Sequence, residues 1–159
     1  MNERKLETME KSELAREYFF KGYNCAQSVA LAFTEELGMS EETVARTVSG
    51  FGGGFGRMRE MCGAVSGMVF VLSVLRGYGE PVSGDPKTAC YALIQKAVHR
   101  YKEANGSYIC RVLLGLDEAE GTPVAEERTA QYYEKRPCPN LCACAAGITA
   151  ELLHQTQEG

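Results

Sequence analysis

The sequence has no excess of positive charge. Its 159 residues include 17 basic and 21 acidic side chains, which give a formal net charge of −4. These charges are spread along the chain, so no basic face or polybasic tail attracts nucleic acid or anionic lipid. We therefore expect neither nucleic acid nor a membrane surface as a partner.

The sequence also lacks an apolar run long enough to span a bilayer. Its longest uncharged run, 61–75, is shorter than the roughly 20 residues that a spanning helix needs, and glycines interrupt it. The N-terminal segment 1–19 is highly charged and has neither the apolar core nor the cleavage site of a secretory signal. These features predict a cytoplasmic protein in which the apolar run forms a buried central helix.

Strand signals are scarce, whereas apolar residues recur at helical spacing from end to end. The chain is long enough for one substantial core, so we predict that 1–159 form a single domain. The predicted fold is all-α, a helical bundle of about six helices. The segment 50–56 contains five glycines and is predicted to be an irregular loop that precedes the buried central helix.

Capping residues and chain breakers give approximate helix bounds. The first two helices are predicted over Ser12 to Lys21 and Asn24 to Leu37. A helix is predicted over Ser107 to Leu114, and the last helix starts near Cys138. Between these two helices, 117–136 is predicted to be a loop with one or two helical turns.

The sequence is rich in cysteine. Seven cysteines are present, at positions 25, 62, 90, 110, 138, 142 and 144. An odd number cannot all pair within the chain, and cysteines of a reducing compartment more often bind metal or carry redox chemistry than form structural disulfides.

Four of the cysteines follow a predicted chain breaker and fall in the first turn of a predicted helix: Cys25, Cys62, Cys110 and Cys138. The free N–H groups and positive dipole end of a helix N-terminus stabilise a thiolate. Arg57 and Arg59, before Cys62, and Arg136, before Cys138, act in the same direction. We therefore expect lowered thiol pKa values and sulfur atoms that meet in space.

The same residues carry a resemblance to a known family. The sequence contains Gly-Tyr-Asn-Cys25, then a run of glycines, then Cys62-Gly-Ala-Val-Ser-Gly67, then Cys110 and Cys138. In this order they resemble the C_GCAxxG_C_C family, whose members are described as redox-active. A similar domain occurs in split-Soret cytochromes c, beside haem and an iron–sulfur centre. The resemblance implies redox chemistry or a metal centre.

The sequence departs from the haem-binding relatives. It has no Cys-x-x-Cys-His attachment site, and neither His99 nor His154 lies beside a cysteine. No covalent haem is therefore expected.

The three remaining cysteines have different expected roles. Cys142 lies one helical turn after Cys138 on the same face, so either residue could complete the site. We expect Cys90 and Cys144 to pack as small apolar side chains.

The spacing of the four cysteines bears on the centre they form. They are separated by 28 to 48 positions, unlike the close pairs of structural zinc modules. Four thiolates from four helix starts suit a Cys₄ iron–sulfur cluster that exchanges electrons with a redox partner protein. Two alternatives stay open: a metal-free thiol–disulfide redox protein, and a non-redox module that binds or delivers metal.

The glycines complete the set of candidate residues. No Lys-Ser/Thr pair follows the Gly-rich segment, so it does not match a P-loop. We instead expect Gly53, Gly54 and Gly63 to let the backbone approach the cofactor. Gly63 and Gly67 also have the spacing of a close helix contact, either within the bundle or across a homodimer interface.

Overall fold

A computed structural model describes residues 2–116 and 121–158 of the chain. Within these residues the regular structure is helical, with a single isolated bridge between Met61 and Ile109 and no strands. The all-α prediction is confirmed. The described residues form nine α-helices: α1 (Glu3–Phe20), α2 (Cys25–Leu31), α3 (Thr34–Leu37), α4 (Glu41–Val48), α5 (Gly63–Arg76), α6 (Asp85–Asn105), α7 (Cys110–Leu113), α8 (Ala130–Lys135) and α9 (Cys138–Glu158).

The predicted number of about six helices is wrong, since the described residues form nine. One reason is that the helix predicted over Asn24 to Leu37 is divided. Phe33 leaves the helical region, with φ −117° and ψ 19°, and its ring is buried in the core. Burial of this large ring outweighs local helix propensity here.

Two predicted boundaries also differ from the structure. Helix α1 starts at Glu3 rather than Ser12, because the Asn2 side chain accepts a hydrogen bond from the Lys5 N–H at 2.9 Å and caps it. Helix α7 starts at Cys110 rather than Ser107, because Ile109 pairs with Met61 in extended conformation. Of the predicted loop 117–136, residues 117–120 lie outside the described residues.

The core is formed mainly by the packing of α1, α2 and α5 against α9. The fully buried side chains include Phe19, Val29, Met68 and Leu152, one from each of these helices. Gly67 lies so close to α2 that an added Cβ would be 2.6 Å from the Ala26 carbonyl oxygen. Gly63 and Gly67 therefore make their close helix contact with α2, within the chain.

Helix α5 is the predicted buried central helix. Seven of its 14 residues are buried, and an irregular Gly-rich segment precedes it, as expected. No helix among the described residues is long and apolar enough to cross a membrane.

Candidate functional site

The four predicted cysteines lie around one cavity of about 60 Å³. Its lining includes Cys25, Cys62, Cys110 and Cys138, together with Gly53, Gly54 and Gly63. Since one water needs roughly 10–15 Å³ by this measure, the cavity has room for a small group of atoms rather than an extended organic molecule.

Each cysteine is positioned by the start of a helix. Cys25 and Cys110 are the first residues of α2 and α7, Cys138 is the first residue of α9, and Cys62 is the N-cap of α5. For Cys25 the start is fixed by a capping box, in which Asn24 and Gln27 bond each other's backbone N–H.

Long-range backbone hydrogen bonds bring Cys62 and Cys110 to the same place. The Cys62 N–H donates to the Tyr108 carbonyl at 2.8 Å, and the Cys110 N–H donates to the Glu60 carbonyl at 2.6 Å. These bonds flank the bridge between Met61 and Ile109. The segments before α5 and α7 are thus held side by side.

The glycines make room for the cysteines. A Cβ added to Gly63 would lie 3.1 Å from the Cys25 Cβ, which is tighter than ordinary contact. A Cβ added to Gly54 would lie 2.7 Å from the Cys110 Cβ, which no real side chain could tolerate without movement. Gly53 lines the cavity, but its own close neighbour is Arg57.

The loop that carries these glycines has an unusual backbone. Three non-glycine residues, Phe55, Arg57 and Arg59, have φ values of 68°, 66° and 61°. Such left-handed conformations cost roughly 1–2 kcal/mol each. Backbone bonds hold the loop, among them the Arg59 N–H to the Gly53 carbonyl at 3.1 Å. Strain of this kind is typical of functional sites.

The thiols of Cys25, Cys138 and Cys142 influence one another. Hydrogen bonding of the Cys25 side chain with those of Cys138 and Cys142 shifts the pKa values of all three thiols. The Cys142 sulfur also lies 3.8 Å from the Cys25 carbonyl oxygen. Cys138 lines the cavity itself, whereas Cys142 is fully buried one turn further along α9.

The expectation of lowered thiol pKa values is wrong for all four cysteines at helix starts, and the pKa of Cys142 is raised as well. Burial raises the pKa of Cys62 to about 11, although the hydrogen bond from Tyr101 acts in the opposite direction. Burial likewise raises the pKa values of Cys110 and Cys142, against the lowering effects of Arg59 and Cys25 respectively. Loss of solvation thus outweighs the helix N-termini in this fold.

The other two pKa values are governed by contact between thiols. The hydrogen bond with Cys25 and then burial raise the pKa of Cys138. For Cys25, the bond with Cys138 lowers the pKa, but the bond with Cys142 and burial outweigh it and leave the pKa well above its ordinary value. The metal-free site is therefore a cluster of neutral thiols at neutral pH.

Three arginines line the cavity. Arg59 is buried and lies with its guanidinium 3.8 Å from the Cys110 sulfur, rather than beside Cys62 as the sequence suggested. Arg136 lies two residues before the start of α9, lines the cavity and forms an ion pair with Glu126. Arg128 donates to the carbonyls of Phe19 and Tyr23 at 3.2 and 3.0 Å.

Two residues of the site, Tyr101 and Arg128, were not predicted from the sequence. Tyr101 of α6 belongs to none of the sequence motifs, yet its hydroxyl lies 3.3 Å from the Cys62 sulfur. Arg128 lies in an irregular segment with no recognisable motif, so nothing in the sequence indicated that it lines the cavity.

The remaining cysteines lie apart from the cavity lining. Cys90 and Cys144 are both half-buried free thiols. The Cys144 sulfur accepts a hydrogen bond from the Asn105 side chain at 3.4 Å.

Comparison with known proteins agrees with this constellation. The family model described as "Putative redox-active protein (C_GCAxxG_C_C)" matches residues 23–152, which include all four cavity cysteines. The chain belongs to the C_GCAxxG_C_C family. No curated protein and no solved structure matches the chain. The resemblance inferred from the sequence is therefore confirmed. The family's description, a putative redox-active protein, agrees with the redox chemistry that the resemblance implied.

Proposed function

We propose that the protein is an electron carrier whose cavity holds a thiolate-ligated metal centre, in the first instance an iron–sulfur cluster. The proposed ligands are Cys25, Cys62, Cys110 and Cys138. The observation that carries this proposal is their meeting around one small cavity although 28 to 48 positions separate them in sequence. Four cysteine thiolates are the usual ligand set of such clusters.

The shape of the site supports a centre of several atoms. Within the described part of the chain, no group of three or more His, Cys, Asp or Glu side chains is close enough together to hold a metal ion. A cluster has several metal atoms and can bind thiolates that stand further apart. The proposal therefore requires the cavity cysteines to draw closer together when the centre is assembled.

The charges around the cavity suit a centre that is held by thiolates. Four bound thiolates contribute four negative charges, and Arg59, Arg128 and Arg136 place three guanidinium groups in the lining. In a site of low dielectric constant, such cations offset the cost of holding charged sulfur atoms. Because the raised pKa values keep these thiols neutral in the metal-free protein, metal binding would release protons to solvent.

Several features of the fold would contribute to this function. The helix starts aim the sulfur atoms at the cavity, and Gly54 and Gly63 give Cys110 and Cys25 the space to lie there. The bound cluster would supply reversible uptake and release of an electron. Burial of Cys62, Cys110 and Cys138 would keep water away from the centre and so contribute to its reduction potential.

A metal-free thiol–disulfide function is the second candidate. It is favoured by the interactions that couple the pKa of the Cys25 thiol to Cys138 and Cys142, and by the position of the Cys142 sulfur, 3.8 Å from the Cys25 carbonyl oxygen. Joining two of these thiols would form one S–S bond and release two protons and two electrons to an oxidised disulfide or other electron acceptor. Cys62 and Cys110 have no part in this reaction, which leaves half of the cavity cysteines unexplained.

We also propose a cytoplasmic location and a redox partner protein. All seven cysteines are free thiols, which fits a reducing compartment. An electron carrier needs a donor and an acceptor. A homodimer remains a prediction, since the close contact of Gly63 and Gly67 is made within the chain.

Anaerobic reconstitution tests the proposal. The purified protein is treated with ferrous iron and sulfide under reducing conditions, desalted, and followed by its visible spectrum during reduction and reoxidation. We expect absorbance that bleaches and returns reversibly. A colourless protein that instead forms a disulfide from Cys25 to Cys138 or Cys142 on mild oxidation would favour the second candidate.

A further inference from the structure

The long helix α6 places the hydroxyl group of Tyr101 beside one of the cavity cysteines, Cys62. Of its 21 residues only Ala97 and Tyr101 are buried, so these two form its deepest contact with the core. Tyr101 is completely buried, and its hydroxyl oxygen lies 3.3 Å from the Cys62 sulfur. Buried tyrosine hydroxyls normally have a hydrogen-bonding partner, and here that partner is a proposed cluster ligand.

The surroundings of Cys62 leave its sulfur available for this contact. Cys62 is the N-cap of α5, and its side chain makes no capping hydrogen bond of normal geometry, although the backbone N–H groups of Ala64 and Val65 are near enough to act to lower the pKa of its thiol. The register of Cys62 is fixed by its backbone, through the N–H that donates to Tyr108. The sulfur is therefore positioned by the main chain, and its side-chain hydrogen bond is with the phenol of Tyr101.

We infer that Tyr101 is a positioning residue that donates a hydrogen bond to the Cys62 sulfur and thereby raises the reduction potential of the centre. This inference rests on the proposed function. A metal-bound thiolate carries no proton, so the phenol must be the donor in that state. A hydrogen bond to a ligand sulfur withdraws electron density from it and favours the reduced, more negative form of the centre.

A purely structural role would give a different outcome. The ring of Tyr101 fills core space that a phenylalanine ring would fill equally well. If packing were its only role, Tyr101→Phe would leave the electronic properties of the centre unchanged. The two roles therefore differ only in whether the hydroxyl affects the centre. A measurement of the reduction potential distinguishes them.

The test compares wild type, Tyr101→Phe and Tyr18→Phe, each reconstituted with ferrous iron and sulfide. Tyr18 is a matched control, because it is a buried residue whose hydroxyl donates to the Glu41 carboxylate at 2.6 Å rather than to a cysteine. Iron content is measured first, and the midpoint potential is then measured by an optical titration. We expect equal iron in the three proteins and a more negative midpoint for Tyr101→Phe alone.

A second measurement avoids any loss of packing. Biosynthetic replacement of all tyrosines by 3-fluorotyrosine makes each phenol a stronger donor, so the wild-type midpoint should move to a more positive value. The same replacement in Tyr101→Phe should move it much less. Equal iron with an unchanged midpoint in both experiments would overturn the role of Tyr101 alone. Absence of bound iron in the wild type would overturn the proposed function, and the role of Tyr101 with it.

Discussion

Gly54 and Cys110 are packed so closely that a Cβ on Gly54 would lie 2.7 Å from the Cβ of Cys110. Gly54 also has φ +72°, in the left-handed region that favours glycine. The Gly-rich loop therefore packs closely against the start of α7 at Cys110, which is one of the proposed metal ligands.

Gly54→Ala should therefore destabilise the protein and displace Cys110. The backbone alone costs roughly 1–2 kcal/mol, and forcing a methyl group into the contact adds about 1–3 kcal/mol. Gly56→Ala is the matched control, since Gly56 has φ +55° but nothing within 4 Å of an added Cβ. Urea unfolding of the metal-free proteins measures both changes, and equal losses of stability would contradict the described contact.

The stability of the metal-free protein should fall as the pH rises. Free cysteine has a pKa of about 8.5, whereas burial raises that of Cys62 to about 11. Above pH 8.5 the unfolded chain loses a proton that the folded protein keeps, so each such thiol costs up to about 1.4 kcal/mol per pH unit. Unfolding under reducing conditions from pH 7 to 9.5 measures the slope.

Cys62→Ser is the control for this pH dependence, because serine does not titrate in the range. Its stability should fall less steeply with pH than that of the wild type. The range ends below the ordinary tyrosine pKa of about 10, so the buried tyrosines do not contribute. A wild-type stability that is flat or rises from pH 8 to 9.5 would show that the thiols are not buried as described.

Arg59→Gln should weaken retention of the metal centre. The buried guanidinium lies 3.8 Å from the Cys110 sulfur and lowers the pKa of that thiol, so its removal disfavours the thiolate. Hydrogen bonds to charged groups contribute about 1.5–3 kcal/mol, which corresponds to about tenfold or more in affinity. Iron loss to a chelator measures the effect.

The control for Arg59 is Arg46→Gln, an exposed arginine that pairs with Glu42 at 2.8 Å on the surface of α4. It should lose iron at the wild-type rate. Equal rates for the two variants would mean that Arg59 does not stabilise the thiolate form of the site.

The choice between Cys138 and Cys142 can also be tested. Cys138 lines the cavity, while Cys142 contacts Cys25 from one turn further along α9. Cys138→Ser should therefore abolish most iron uptake during reconstitution, and Cys142→Ser should retain most of it. The reverse pattern would move the fourth ligand to Cys142.

Local sequence signals were sufficient for the helix starts near Cys25, Cys62 and Cys138. Asn24 before Cys25 is a capping residue, and the Gly-rich segment could not continue a helix into Cys62. The extended pairing of Met61 with Ile109 and the inward turn of Phe33 depend on distant parts of the chain. These contacts explain why the predicted helix count and the start of α7 were wrong.

The electrostatics of the site could be predicted less well than its location. The helix starts were visible in the sequence and suggested thiolates of low pKa. The depth of burial, which reverses the direction for Cys62 and Cys110, depends on the packing of the whole bundle. The same holds for Tyr101, whose contact with Cys62 crosses between two helices.

The most direct test of the central claim is the amount of iron and acid-labile sulfide bound per chain after anaerobic reconstitution. The wild type and Cys90→Ser should bind both in equal amounts, because Cys90 lies apart from the cavity lining. Cys25→Ser, Cys62→Ser and Cys110→Ser should each lose most of both. Iron binding that is absent from the wild type, or equal in all of these proteins, would contradict a metal centre held by the cavity cysteines.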